Sequence, residues 1–137
     1  MRVAVVDGQG GGIGKAIVEK LRAAFPEGLD IVALGTNALA TALMLKAGAN
    51  EGASGENAIM YSAPKVDVIM GTVAILSANA MLGEVSPRIA EAVGTSPAVK
   101  ILIPLNKCGI IVAGVAPQPL PHSIDDAIEL LKKTMRG

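Results

Sequence analysis

The chain has few of the residues that mark several common classes of protein. Its 137 residues include one cysteine and one histidine, and its 12 basic residues balance 12 acidic ones. A single cysteine excludes a disulfide within the chain, and one cysteine with one histidine argues against a dedicated transition-metal site. A net charge of zero gives no reason to expect a polyanionic partner. We therefore expect no metal site, no nucleic-acid partner and no membrane partner.

Long apolar runs are missing as well. The longest uncharged apolar stretch, residues 68–83, is shorter than the roughly 20 residues that span a bilayer, and it contains Thr72. Asp7 follows the first apolar residues too soon for the apolar region of a signal peptide. The hydrophobic fraction of 51% suffices for a buried core without disulfides. We therefore expect one cytoplasmic domain over residues 1–137.

Apolar patterning predicts alternating strands and helices. Short apolar runs predict five strands, at residues 2–7, 29–35, 66–71, 98–104 and 109–115. Helical periodicity and capping residues predict helices directly after residues 8–14, at 38–47, at 73–82, at 86–94 and from Ser123 onward. Residues 49–57 carry too little apolar content for a strand of any length. A short helix over 54–62 competes there with an extended segment.

The order of these elements predicts an α/β fold. Strand, helix, strand and helix in succession open a parallel sheet with right-handed crossovers. Only about four residues separate the last two predicted strands, whereas a parallel crossover needs about a dozen. We therefore expect that pair to form a hairpin, with the last strand antiparallel. The expected architecture is a Rossmann-like, doubly wound, mostly parallel sheet of about five strands with a C-terminal helix.

The strongest functional signal is the glycine-rich segment DGQGGGIGKA, residues 7–16. It lies between the first strand and the first helix, where backbone amides and a helix N-terminus can hold a phosphate. The ordinary dinucleotide spacing G-x-G-x-x-G fails, because Ile13 stands at the third glycine position. Gly8, Gly12 and Gly14 instead give G-x-x-x-G-x-G, which resembles the nucleotide signature of the short-chain dehydrogenases. The resemblance implies NAD or NADP as the cofactor, contacted by Gly8, Gln9, Gly10, Gly11, Gly12, Ile13 and Gly14.

Several features depart from that family's pattern. Asp7 places a carboxylate where the family has Thr or Ser, and it would repel a pyrophosphate unless it capped the loop's own amides or met a cation. The second strand ends in Gly35-Thr36-Asn37, without an acidic residue for a ribose hydroxyl or an arginine for a 2′-phosphate. Tyr61 and Lys65 echo the family's Tyr-x-x-x-Lys pair, but they precede the third predicted strand, so chance explains them better.

Two other interpretations of the glycine-rich segment stay open. Residues 10–16 approach the P-loop pattern with Lys15 at the lysine position, yet Gln9 replaces its first glycine and Ala16 replaces its magnesium-binding hydroxyl. A purely structural turn is the second alternative, because strand–helix turns often carry glycine for packing alone. Nucleotide binding is favoured over both.

The carboxyl ends of the other predicted strands add candidate ligand contacts. In a parallel sheet these ends border the crevice that binds ligands. They carry Asn37, Thr72, Asn106 and Lys107, of which the lysine suits an anionic ligand. Asn37 is equally well explained as a helix cap, and Asn106 as a turn residue. Cys108 is better explained as a structural thiol than as a nucleophile, since no histidine is near it in sequence.

The helices predicted at 38–47 and 73–82 are apolar nearly all round, with Lys46 as the only charge between them. A surface helix of a small α/β domain normally shows a polar face. We therefore expect at least one of the two to pack against a second copy in a homodimer. The alternative is that both helices face the sheet and their neighbours.

The sequence as a whole resembles an uncharacterised bacterial family of small Rossmann-like proteins, classed as a domain of unknown function. The resemblance runs through VDGQGGGIGK (6–15), VALGTN (32–37), MLKAGANEGASGENAI (44–59), MLGEVSP (81–87) and ILIPLNKCG (101–109). It implies a bacterial cytosolic protein with the fold predicted above. It carries over no catalytic residue.

These observations together predict a domain that binds a nucleotide or dinucleotide through residues 8–14. A reaction is not assigned. One alternative is a regulatory module that senses a nucleotide without turning it over. The other is an interaction protein whose glycine turn binds nothing.

Overall fold

The computed structural model describes residues 1–105 and 108–137. Five strands form one sheet, β1 (Arg2–Asp7), β2 (Asp30–Gly35), β3 (Glu51–Ser54), β4 (Val68–Thr72) and β5 (Val99–Ile103). The α-helices are α1 (Gly12–Ala24), α2 (Ala38–Ala47), α3 (Glu56–Ser62), α4 (Pro87–Thr95) and α5 (Leu120–Arg136). Short 3-10 helices cover Ala63–Lys65 and Val73–Leu76.

All neighbouring strands of the sheet are parallel, in the order β3-β2-β1-β4-β5. The order reverses at β1, from which the chain moves outward first through β2 and β3 and then through β4 and β5. This is the doubly wound arrangement, in which ligands bind beyond the carboxyl ends of the strands where the order reverses. The predicted Rossmann-like α/β fold is confirmed.

Helices cover both faces of the sheet and divide the core in two. Val3 and Val5 of β1 join one apolar cluster, which packs against α1 and α5. Ala4 and Val6 of the same strand join a second cluster, which packs against α3 and α4. Alternate residues of a strand point to opposite faces, so a strand buried on both sides is apolar throughout. The valine-rich run at the start of the chain therefore places β1 at the centre.

The prediction of an antiparallel last strand is wrong. The last strand, β5, is parallel to β4, with Val68 beside Val99 and Thr72 beside Ile103. Residues 109–115 form no strand, because Gly109 and Gly114 take left-handed backbone conformations, with φ of 74° and 82°, that interrupt an extended chain. The apolar side chains of this segment are exposed, at Ile110, Ile111, Val112 and Val115.

The fifth strand lies instead at the opposite edge, in a segment that the composition had excluded. β3 pairs with β2 through Val32 and Glu51 up to Gly35 and Ser54, and all four of its residues are exposed. Backbone hydrogen bonds to β2 hold this strand, so it needs no apolar side chains. The expectation that residues 49–57 contain no strand is wrong for this reason. The short helix at 54–62 is present as α3.

The prediction of a helix at residues 73–82 is also wrong. The chain makes one 3-10 turn, Val73–Leu76, and then a series of turns. Asn79, Met81 and Leu82 have positive φ values of 67°, 57° and 56°, which no right-handed helix contains. Thr72 caps this 3-10 turn, because its hydroxyl accepts a hydrogen bond from the Ala74 N–H at 3.2 Å.

The helix predicted at 38–47 is confirmed as α2, with Asn37 as its N-cap. α2 buries Ala40, Thr41 and Met44 but leaves Leu39 59% exposed. The homodimer stays a prediction. Within residues 1–105 and 108–137, no helix combines the length and apolarity needed to cross a membrane.

Candidate functional site

The glycine-rich loop, residues 8–11, joins the carboxyl end of β1 to α1 at the centre of the sheet. The Gly11 N–H donates to the Gly8 carbonyl at 2.9 Å, which closes a tight turn. Gly11 is the N-cap of α1 and has a φ of 75°. A Cβ atom there would lie 2.7 Å from the Ala40 Cα of α2, so only glycine fits. The loop is thereby pressed against the start of α2.

Asp7 anchors this loop from inside. Its Oδ2 accepts a hydrogen bond from the Gly14 N–H at 2.6 Å, and the side chain is 5% exposed. Burial raises the pKa of Asp7, while the N–H groups of Gly14 and Gly8 lower it and the nearby Glu84 carboxylate raises it further. Asp7 therefore caps amides of its own segment. This is one of the two conditions under which a carboxylate at position 7 would not repel a pyrophosphate, the other being a bound cation.

Glu84 fastens the outer side of the loop to the end of β2. Its Oε1 accepts hydrogen bonds from the Gln9 N–H at 2.8 Å, from the Thr36 hydroxyl at 2.7 Å and from Asn37 Nδ2 at 2.8 Å. These donors favour the ionised form and lower the pKa of Glu84. We call these four residues, Gln9, Thr36, Asn37 and Glu84, the Glu84 clasp.

Both polar groups of the Asn37 side chain are engaged within the protein. Its Oδ1 accepts from the Ala40 N–H at 2.9 Å as the cap of α2, and its Nδ2 donates to the Gln9 carbonyl at 3.0 Å as well as to Glu84. The side chain therefore acts as a helix cap and as a member of the clasp.

The other glycines of the glycine-rich segment, residues 7–16, divide into packed and open positions. A Cβ at Gly8 would lie 2.4 Å from Thr36 Oγ1, and a Cβ at Gly14 would lie 2.7 Å from Met44 Sδ. Packing therefore requires glycine at position 14, where Asp7 Cβ also lies 2.8 Å from the Cβ position, whereas at Gly8 the close atoms are the ends of side chains that fill this space. At Gly10 and Gly12 a Cβ would meet no heavy atom of the described residues within 4 Å, apart from the chain neighbours and, for Gly12, the backbone of its own helix, and neither residue has a positive φ. Neither packing nor backbone conformation explains glycine at these two positions.

A cavity of about 620 Å³ opens beside the loop. Ligand pockets commonly measure about 300–1,000 Å³. The residues that line this one come from the ends of β1, β4 and β5, from the turns after β4 and from the start of α5, namely Asp7 to Ile13, Thr72, Ala74, Ala80, Met81, Leu82, Leu105, Cys108 and Leu120.

The first turn of α1 presents free amides at this cavity. The Gly14 N–H is bound by Asp7 and the Lys15 N–H by the Gly11 carbonyl. Within residues 1–105 and 108–137, no acceptor bonds to the N–H of Gly12 or of Ile13. Free N–H groups at a helix N-terminus, with its partial positive charge, attract an anion.

The structure brings most of the predicted site residues together. Gly8 to Ile13 and Thr72 line the cavity, whereas Gly14 and Asn37 lie behind it and hold the loop. Asn106 and Lys107 lie outside the described residues. Cys108, half-buried, is a further lining residue.

The Tyr61–Lys65 pair does not line this cavity. Lys65 Nζ lies 3.1 Å from the centre of the Tyr61 ring and lowers the pKa of the phenol. Tyr61 borders a depression shared with Arg2 and Glu51, the first residues of β1 and β3. This is the end of the sheet opposite to the glycine-rich loop, as expected if the resemblance to a catalytic pair is due to chance.

Gly14→Ala is expected to destabilise the fold by about 1–3 kcal/mol, because the added Cβ would lie 2.8 Å from Asp7 Cβ as well as close to Met44. Gly94→Ala is the matched control, since the nearest atom to its Cβ position is Leu76 Cδ2 at 3.9 Å. Urea unfolding of both variants measures the difference. Equal stability of the two would contradict the packing role of Gly14.

Asp7→Asn is expected to change how stability depends on pH. Burial raises the pKa of Asp7 above its value in the unfolded chain, so its contribution is complete below that value, about 3.9, and is lost as pH rises through the folded pKa. The wild-type protein should therefore lose free energy of unfolding relative to the variant as the pH rises from about 4 through the folded pKa of Asp7. Urea titrations at several pH values measure this. A relative gain of the wild type with rising pH would show that the loop amides outweigh burial.

Comparison with known proteins places the chain in a family. A similar solved structure is the apo histidine-tagged saccharopine dehydrogenase (L-Glu forming) from Saccharomyces cerevisiae, with 14% sequence identity and a TM-score of 0.49. The match covers 93% of this chain and 24% of that one, so the chain spans about a quarter of that protein. No curated protein matches the chain. The model of the family described as Domain of unknown function (DUF3842) matches residues 2–136. The chain therefore belongs to this family, as its resemblance indicated.

Proposed function

We propose that the protein binds a nucleotide, with the phosphate on the free amides of Gly12 and Ile13. The observation that carries this proposal is the open glycine at position 12. Glycine at this position is required neither by packing nor by a left-handed backbone conformation. The absence of a side chain keeps the first amide of α1 accessible from the cavity. A structural turn would explain Gly8, Gly11 and Gly14 but not Gly12.

The charges around the cavity support a site that uses backbone groups. Among the described residues that line it there is no lysine or arginine, and the acidic one, Asp7, is turned to the loop amides. A phosphate would therefore be held by N–H groups and by the partial positive charge at the start of α1. Lys15, in the second turn of α1, is half-exposed and lies 3.8 Å from Glu19 rather than in the cavity.

NAD and NADP are the cofactors that the loop spacing suggests. NADP is the less suited of the two. In Rossmann folds its 2′-phosphate lies beside the end of the second strand, and here the ionised Glu84 occupies that position. A nucleotide-sensing module without turnover fits the same site, since catalysis would need further groups. We assign no reaction.

Gly12→Val is expected to remove nucleotide binding while leaving the protein folded. The valine side chain would stand in the cavity over the amides that hold the phosphate, and the affinity should fall by about ten-fold or more. Isothermal titration with NAD, NADP, FAD, ATP and AMP, with thermal unfolding as the folding check, measures both effects. Gly94→Val is the matched control, because it places the same residue in a helix away from the cavity. Unchanged affinity in Gly12→Val would refute the site.

We further propose that the protein forms a homodimer through α2. This helix leaves Leu39 59% and Leu45 39% exposed, and residues 73–82, the other candidate, form no α-helix. Exposed apolar side chains on one helix are a common feature of subunit interfaces.

Leu39→Lys is expected to convert a dimer to a monomer, because it would place a charge at the centre of the proposed contact. Light scattering at micromolar concentration measures the mass. Leu130→Lys on α5 is the matched control, since Leu130 is 51% exposed on another helix. A monomeric wild-type protein would exclude the dimer.

A further inference from the structure

The cavity lies on one side of the glycine-rich loop only. Its walls come from β1, from β4 and the turns after it, and from the segment between β5 and α5. Neither Thr36 nor Asn37, at the end of β2, contributes to it. A doubly wound fold that binds a dinucleotide uses both sides, with the adenosine ribose beside a residue at the end of the second strand.

The β2 side is filled by the protein itself. The Glu84 clasp joins the loop to the end of β2 with hydrogen bonds of 2.7–3.0 Å. The space beside Gly8 is taken as well, since Thr36 Oγ1, Met81 Sδ and Glu84 Oε1 lie 2.4, 2.9 and 3.1 Å from its Cβ position. An adenosine ribose would have to displace these groups and leave the Glu84 carboxylate without its donors.

The open side offers a surface for a flat, weakly polar group. Beyond the free amides the cavity is walled by the side chains of Ala74, Ala80, Leu105 and Leu120. Such a wall suits a heterocyclic base, with the phosphate at the amides and the base toward β4 and β5.

We infer that the ligand is a mononucleotide and that the Glu84 clasp excludes the adenosine half of a dinucleotide. This inference rests on the proposed function, because it assumes that the amides of Gly12 and Ile13 hold a phosphate. Glu84 is in this arrangement a specificity-determining residue that does not contact the ligand.

Two matched ligand pairs test the inference on the wild-type protein. Nicotinamide mononucleotide and NAD share one half and differ by an AMP half, as do FMN and FAD. Isothermal titration should show at least one mononucleotide binding about ten-fold or more tighter than its dinucleotide. If both dinucleotides bind as tightly as their mononucleotides, the inference is overturned.

Substitution of Glu84 supplies the second test. Glu84→Ala removes the acceptor at the centre of the clasp and should raise dinucleotide affinity about ten-fold, with mononucleotide affinity unchanged. Glu84→Gln keeps an acceptor oxygen and should retain the wild-type preference. If Glu84→Ala does not fold, Thr36→Val, which removes one of the three donors and keeps the side-chain size, should shift the preference in the same direction.

The outcomes separate this inference from the proposed function. A dinucleotide that binds tightly to the wild type and weakly to Glu84→Ala would show that Glu84 contacts a ribose, which overturns the inference and leaves the site intact. Failure of every nucleotide to bind the wild type would overturn the proposed function and the inference with it.

Discussion

The hydrogen bond from the Gly14 N–H to the Asp7 carboxylate is the interaction on which the site depends. The first turn of a helix has N–H groups without helical partners, and Asp7, at the end of the central strand, binds one of them at 2.6 Å. This bond fixes the direction in which α1 leaves the sheet. It also leaves the Gly12 and Ile13 amides free, so the same carboxylate that anchors the loop determines which amides face the cavity. Its burial raises the pKa of Asp7, an energetic penalty that the Gly14 and Gly8 amides partly offset.

Much of the fold follows from local patterns in the sequence, because those patterns report burial. The valine-rich β1 and the helix periodicity of α1 predict a central strand and a crossover, and both are present. β3 could not be predicted from apolar patterning, because an exposed edge strand pairs through its backbone and needs no apolar side chains. The prediction of a strand at residues 109–115 fails for the opposite reason. Their apolar side chains suggested burial but are exposed, and two glycines interrupt the chain.

The candidate site could be predicted only where its chemistry lies in consecutive residues. The glycine-rich loop follows β1 directly and Thr72 is the last residue of β4, and both line the cavity. The role of Glu84 could not be predicted from the sequence, because its contact with Gln9 spans 75 positions and its neighbours in sequence form irregular turns. Likewise, the difference between packed Gly14 and open Gly12 depends on Met44 and on Asp7, whose positions only the tertiary structure supplies.

The turns after β4 connect the two sides of the loop. Met81 and Leu82 stand in the cavity wall, and Glu84 follows them within the clasp. Both wall residues hold left-handed backbone conformations, which store about 1–3 kcal/mol each in a segment that also leaves Leu82 97% exposed. The folded chain already bears this cost, so this wall of the cavity is in place before a ligand enters, and binding need not order it.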